Sequence, residues 1–475
     1  MKEAGLLLRD AELDGAGRAD VRVTGDGVTE IGHRLPRRPG EQVVECRGGA
    51  LLPGLCDHHL HLHALAARRR SVPCGPPQVT DHAGLAAALR DAAPDEHGWI
   101  RGTGYVESVA GDLGAADLDR LQPHRPVRVQ HRSGALWMLN SRAVAAAGLA
   151  TATHPGIERD PRGDPTGRLW RADDWLRTRL PPSRPLPLDE VARELTGFGI
   201  TAVTDATPDL DPAALDAFDR AVAGGALPQR LHLLGVPLGA TATGPRVSTG
   251  PYKIVIADSS LPGLDDLSDR IRAAHGKGRP IAAHCVTREA LLLLLAALDQ
   301  AGPAFKGDRV EHAALVPSET IGDIARRGLR VVTQPGFIAD RGDDYLRDIP
   351  AEDHRDLYRY GSLRAAGVPV GLSSDAPYGP LDPWQVMSAA VHRRARSGTT
   401  AGPAERVTAL TALHAYLTPP EDPGGRIRKV AIGAPADLVL LHTPLAEALR
   451  RPSVSLVRTV LIEGRPVSPT PPRTG

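Results

Sequence analysis

The sequence predicts an α/β protein: a (β/α)8 TIM-type barrel, a small β-sandwich domain formed by both chain termini, and an insertion after strand 1. Three observations predict it. Both ends of the chain alternate short apolar runs with turn residues at a period of two, as half-buried strands do. Between them, eight short continuous apolar runs alternate with Ala/Leu/Arg-rich helical stretches, the texture of a buried parallel sheet and its crossover helices. The gap between the first and second of those runs is far too long for one βα unit.

The elements follow in order. Gly5-Leu6-Leu7-Leu8, Ala19-Asp20-Val21-Arg22-Val23, Val28-Thr29-Glu30-Ile31 and Glu41-Gln42-Val43-Val44 read as a β-meander broken by Gly and Asp. The same texture returns in Ala436-Asp437-Leu438-Val439-Leu440-Leu441, in Val457-Arg458-Thr459-Val460-Leu461-Ile462 and in the turn Glu463-Gly464-Arg465-Pro466-Val467. Residues 1–49 and 425–475 are therefore assigned to one discontinuous β-sandwich domain, and 50–424 to the barrel. Barrel strands are expected at 50–57, 200–205, 230–236, 252–257, 280–284, 309–312, 329–334 and 368–374. Residues at about 65–190 form the insertion, which the Pro-rich 181–187 stretch leaves as a linker.

Composition narrows the function. With 475 residues the chain can bury a large core, and 41% hydrophobic with 24% charged residues excludes wholesale disorder. The 57 Lys+Arg against 56 Asp+Glu leave a net charge of +1, which excludes a nucleic-acid or membrane-surface role driven by charge. No segment approaches the ~18 apolar residues of a membrane span. Four cysteines without CxxC spacing suit a reducing compartment, so the protein is expected in the cytoplasm. Only five of the basic residues are lysines, one of them Lys253.

The chemistry lies at strand ends. The first barrel strand closes on Pro53-Gly54-Leu55-Cys56-Asp57-His58-His59-Leu60-His61, and a His-x-His pair in extended backbone puts both imidazoles on one face, ready to share a cation. Strand five closes with His284, strand six with Glu311-His312, strand eight with Ser374-Asp375. All four ends fall at the C-terminal mouth, where barrel enzymes place their chemistry. Lys253 precedes the apolar run Ile254-Val255-Ile256 on strand four. Burial there lowers its pKa, so the neutral amine can react with carbon dioxide to give an anionic carbamate able to bridge two cations.

Together these residues resemble the amidohydrolase superfamily, through the run from Leu52 to His61, the strand-end His284 and His312, the Ser374-Asp375-Ala376-Pro377 turn and the split terminal domain. The middle is similar to its family-3 branch, the YtcJ-like and N-substituted formamide deformylase-like metal-dependent hydrolases. That similarity rests on stretches such as Trp99-Ile100-Arg101-Gly102-Thr103-Gly104-Tyr105, Leu139-Asn140-Ser141 and Asp164-Pro165-Thr166-Gly167.

The resemblance implies one metal on His59, His61 and Asp375, a second on His284 and His312, and a carbamylated Lys253 between them. Zinc, one or two ions per chain, is the metal implied, and His-plus-oxygen ligation suits it. The implied reaction is hydrolysis of an amide or other C–N bond of a small molecule by a metal-activated water, with Asp375 as general acid and base. A homodimer is the expected assembly, because such enzymes often associate.

Two departures bear on the substrate. The loop after Lys253 reads Ala257-Asp258-Ser259-Ser260 where the family commonly has Asp-Gly-Ser, and Ser133-Gly134-Ala135 has alanine where relatives often have histidine. Candidate substrate contacts are Tyr105, His131 and Trp137 in the insertion, which is expected to lid the pocket, and Gln334 and Tyr378 at the mouth. His58 and His63 are expected to point away from the site and Asp57 to orient a ligand histidine. Two rival readings stand: a mononuclear deaminase acting on a heterocycle, which would usually carry Glu where Thr287 stands, and a noncatalytic protein that keeps the fold.

Overall fold

The alternation at the two termini becomes a single eight-stranded sheet. In the computed structural model, which describes residues 5–15, 17–181, 186–242, 244–257, 260–303 and 305–467, Leu6–Leu13, Gly17–Thr24, Gly27–Gly32, Gln42–Glu45 and Ala50–Pro53 pair with one another. Leu438–Leu441, Val457–Ile462 and Arg465–Val467 complete the sheet, and Ala50–Pro53 is the hinge of the arrangement. It runs parallel to the first strand and antiparallel to Leu438–Leu441, with Leu51 opposite Leu440 and Pro53 opposite Leu438. Leu8, Val21, Val23, Leu51, Leu438, Leu440 and Leu461 fill one core on this sheet. The Ala257-Asp258-Ser259-Ser260 loop and the 181–187 linker lie partly outside the described residues.

The run expected as one strand over 50–57 is two. Ala50–Pro53 belongs to the terminal sheet and Leu55–Leu60 to the parallel one, with Gly54 between them. A side chain at Gly54 would place its Cβ 2.1 Å from the Thr201 hydroxyl, so glycine is what lets the chain pass from one sheet to the other.

The parallel strands form two arcs. Leu55–Leu60, Ile200–Asp205, Arg230–Leu233 and the short Val247–Thr249 make the first. Tyr252–Val255, Ile281–Cys285, Arg309–His312, Arg330–Thr333 and Val370–Leu372 make the second. Val247–Thr249 is a ninth parallel strand, beyond the eight expected from the sequence; with three residues it is too short to show a period. At the arc edges the Lys253 amide donates to the Leu234 carbonyl at 3.2 Å and the Asp375 amide to that of His59 at 2.8 Å.

The crossover helices carry amphipathic faces. In Arg288–Ala301 the buried Leu291, Leu294, Leu295 and Leu298 follow the i, i+3, i+4, i+7 spacing, and Thr287 caps the first turn by accepting from the Ala290 amide. Each such leucine contributes roughly 1.5–3 kcal/mol of burial free energy.

These elements belong to one compact unit, residues 1–62 with 187–475; residues 63–186 form a second. The second unit holds a six-stranded mixed sheet ordered Ile157–Arg159, Pro165–Trp170, Leu136–Leu139, Val127–His131, Ile100–Tyr105, Val72–Pro73. Alternation along Leu136–Leu139 sends Leu136 and Met138 into one core and Trp137 and Leu139 into another. No helix among the described residues is long and apolar enough to cross a membrane.

Candidate metal centre

The end of Leu55–Leu60 sets the first two ligands. His59 is fully buried, its Nε2 standing 3.5 Å from Asp375 Oδ1, and His61 Nε2 stands 3.4 Å from the same oxygen. The three side chains offer ligand atoms that all lie within 4.8 Å of one another. The His312 ring lies 4.7 Å from that of His59 and 4.5 Å from that of His284, which brings the strand-five and strand-six histidines to the same place.

Three of these imidazoles are held through Nδ1. His59 Nδ1 is bound by the Glu311 carboxylate. His61 Nδ1 lies 3.2 Å from the Thr207 hydroxyl, and the buried Asp205 carboxylate fixes that corner by accepting from the Leu62 and Thr207 amides at 2.8 and 3.0 Å. His312 Nδ1 donates to Gln334 Oε1 at 3.0 Å, and the Gln334 amide nitrogen donates to Ser373 at 2.9 Å. Each imidazole is thereby left with Nε2 as its second nitrogen.

Backbone strain marks two of these positions. His312 and Asp375 have φ of +69° and +54°, left-handed conformations that cost a non-glycine residue about 1–3 kcal/mol each. Along Arg309–His312 a strict strand would send Arg309 and Glu311 to one face and His312 to the other. The left-handed turn at His312 breaks that alternation, so Glu311 and His312 both reach His59. Asp57 joins the two ends of the site, its carboxylate accepting from the amides of His59 at 3.1 Å and Ser374 at 3.2 Å.

The electrostatics follow from burial and neighbours. Burial pushes the Asp375 carboxyl up, but the neighbouring His61, His312 and His59 outweigh it and hold the group below the usual carboxylate range. Burial pushes His59 and His312 down. It also lowers Lys253, against the attraction of Glu311 and Asp375. Asp57 is pushed up to about 7 by burial despite its hydrogen bonds.

Whether these residues suit a cation can be judged from what they leave unsatisfied. His59 Nε2, Asp375 Oδ1 and Lys253 Nζ are buried polar atoms without a hydrogen-bond partner among the described residues. Leaving such an atom unpaired costs about 1–3 kcal/mol. Imidazole nitrogens and a carboxylate oxygen are donors that a divalent metal ion takes, so His59, His61 and Asp375 fit a metal.

The remaining sequence candidates divide by unit. Tyr378 lies at the centre, its ring 5.6 Å from that of His61. Gln334 is buried and its amide is committed to His312 and Ser373. Tyr105, His131 and Trp137 belong to the second unit. There Tyr105 is fully buried with its hydroxyl donating to the Gly111 carbonyl, and His131 joins Ser133 and Glu107. Trp137 is buried with the Arg101 and Arg128 guanidinium groups each 5.2 Å from its ring, and its indole donates to Asp173 at 2.7 Å. His58 bonds the Ala415 carbonyl at 3.1 Å and Thr418 at 2.9 Å.

Sequence reasoning gave no role to Thr207, Asp205 or Glu311. For Glu311 a signal existed, since Arg309-x-Glu311 places opposite charges on one face of a strand expected to be buried. Thr207 and Asp205 follow an ordinary strand end, and only the fold brings them to His61.

A parallel α/β fold whose strand ends gather a His-x-His pair, two further histidines and an aspartate, with ligand atoms left unpartnered, defines a metal-dependent hydrolase. Comparison with known proteins makes this specific. The chain belongs to the amidohydrolase family, whose model matches residues 42–468, and it is a hydrolase acting on carbon–nitrogen bonds. It is similar to the putative amidohydrolase YtcJ of Bacillus subtilis (strain 168), at 27% identity over 459 residues, covering 85% of this chain and 86% of the relative. It is also similar to the N-substituted formamide deformylase of Arthrobacter pascens, at 26% identity over 476 residues and 86% of each chain. An uncharacterized metal-dependent hydrolase from Pyrococcus horikoshii OT3 shares the fold with a TM-score of 0.73 at 18% identity, over 98% of this chain and 100% of that one. The family resemblance carried by the strand-end residues is thereby borne out.

Proposed function

We propose that the protein is a zinc-dependent amidohydrolase that cleaves an amide or other non-peptide C–N bond of a small molecule. The observation that carries this reading is that His59 Nε2 and Asp375 Oδ1, both buried and without a hydrogen-bond partner among the described residues, stand 3.5 Å apart, with Lys253 Nζ buried and unpartnered as well. His59, His61 and Asp375 would hold one ion, His284 and His312 a second, with Lys253 as a carbamate between them. Zinc held there would supply an acidified water and polarisation of the scissile carbonyl.

The chain's own groups do the rest. Asp375, whose Oδ1 stands 3.4 Å from His61 Nε2, takes a proton on its carboxylate from the attacking water and passes it to the departing nitrogen. Glu311, Thr207 and Gln334 keep the imidazoles turned for their task, and Asp57 keeps Asp375 in register with His59 by holding the Ser374 and His59 amides.

The reading includes closure of the two arcs into a (β/α)8 barrel and folding of the terminal sheet into a sandwich. The Lys253–Leu234 and Asp375–His59 backbone hydrogen bonds across the arc edges support the first. Four buried, free cysteines support a cytoplasmic setting. Thr287 caps a helix where such deaminases usually carry Glu, which argues against the deaminase reading.

The test is a panel of N-acyl, N-formyl, carbamate and cyclic amide compounds presented to zinc-loaded protein, read by release of amine or acid. Turnover by the wild type and none by Asp375→Asn is the expected result. Turnover that survives in the Asn variant or in stripped protein refutes the reading.

A further inference from the structure

The Glu311 carboxylate touches no proposed substrate position, yet it is fully enclosed, with 0% exposure. One oxygen, Oε2, accepts a hydrogen bond from His59 Nδ1, and the other, Oε1, accepts one from Arg309 Nε. Arg309 is itself buried and reaches the His58 carbonyl at 3.5 Å. A buried carboxylate with an arginine on one oxygen and an imidazole on the other has two donors to satisfy and no freedom to leave either. We infer that Glu311 is a positioning residue for metal binding: with Arg309 as its brace, it fixes the His59 ring so that Nε2 faces the site. The inference rests on the metal-dependent reading given above.

The geometry makes a specific demand. A carboxylate offers two acceptor oxygens, whereas a glutamine amide offers one acceptor and one donor. In Glu311→Gln the amide can accept from His59 or from Arg309 but not from both. Whichever donor loses, its N–H meets an NH2. Removing the arginine donor as well, in Arg309→Met/Glu311→Gln, frees the glutamine oxygen for His59 again.

The experiment measures zinc affinity of metal-free protein by competition with a chromophoric chelator, after circular dichroism has shown each variant folded. It also reads the His59 tautomer from a 15N–1H histidine correlation spectrum of the metal-free form. E311Q is expected to bind zinc 10–100-fold more weakly than wild type and to lose the single Nδ1–H signature, with part of both restored in the double variant. A folded E311Q that binds zinc within twofold of wild type overturns the inference, and so does a double variant that restores nothing. Wild-type protein that takes up no zinc instead refutes the metal-dependent reading itself, which keeps the two failures apart.

Discussion

Lys253→Met separates a lysine held for chemistry from one held for structure. In the metal-free protein the Lys253 Nζ is buried without a hydrogen-bond partner among the described residues. A buried polar group in that state costs about 1–3 kcal/mol. Methionine keeps an unbranched stem of similar length and removes the amine, so that cost disappears. The attraction of Glu311 and Asp375 for a protonated lysine disappears with it and offsets part of the gain. The metal-free K253M chain should therefore be as stable as wild type or more so, by up to about 3 kcal/mol. Zinc-loaded K253M should retain less metal than wild type, because the bridging donor is gone. Urea unfolding of chelator-treated protein and elemental analysis of reloaded protein read the two effects. A K253M chain destabilised by more than about 1 kcal/mol, with its zinc content unchanged, would falsify the idea that this lysine waits for a metal.

Three further outcomes are expected. Asp375→Asn should abolish hydrolysis while leaving thermal unfolding of the metal-free chain nearly unchanged, and a wild-type rate in that variant removes Asp375 from the mechanism. Stripping with a chelator should abolish turnover and adding zinc should restore it; a stripped enzyme that keeps working has no need of the ligand set. Asp382 caps the helix Pro383–His392, and burial pushes its carboxyl up to about 6 despite the donors that reach it. The folded chain thus keeps this proton longer than the unfolded one, so the associated stability is full below about pH 4 and is lost as pH rises through 6. Against Asp382→Asn, wild type should lose on the order of 3 kcal/mol between pH 4 and pH 7, and parallel pH profiles contradict the assignment.

Those candidate ligands that sit on regular strand ends could be brought together from sequence because the parallel fold turns a one-dimensional pattern into a ring of positions. His59 and His61 could be paired from period two alone, and His284 from the end of an apolar run. The bond of His59 to Glu311 was not legible, because it depends on a left-handed residue inside what reads as plain strand, and nothing in Val310-Glu311-His312 announces a positive φ. The break at Gly54 was missed for the opposite reason. Ala50 to Asp57 is so evenly apolar that two strands in different sheets read as one, and only the close approach of Thr201 separates them. In the insertion, aromatic and polar residues suggested ligand contacts, yet Tyr105 and Trp137 are committed to that unit's own cores. Composition alone does not distinguish a pocket lining from a packed interior.

Ala50–Pro53 lies between strands from the two ends of the chain, and this has a consequence for synthesis on the ribosome. Leu6–Leu13 emerges early, whereas Leu438–Leu441 is made more than 400 residues later. At ~5–20 residues per second the early strands wait about 20–80 s for their neighbours. During that interval Leu51 and the other apolar side chains of the strip have no sheet to cover them on the Leu438 side. Nascent chains stalled before residue 438 should therefore be the species that engages chaperones, even though the parallel strands bearing the candidate ligands are already complete.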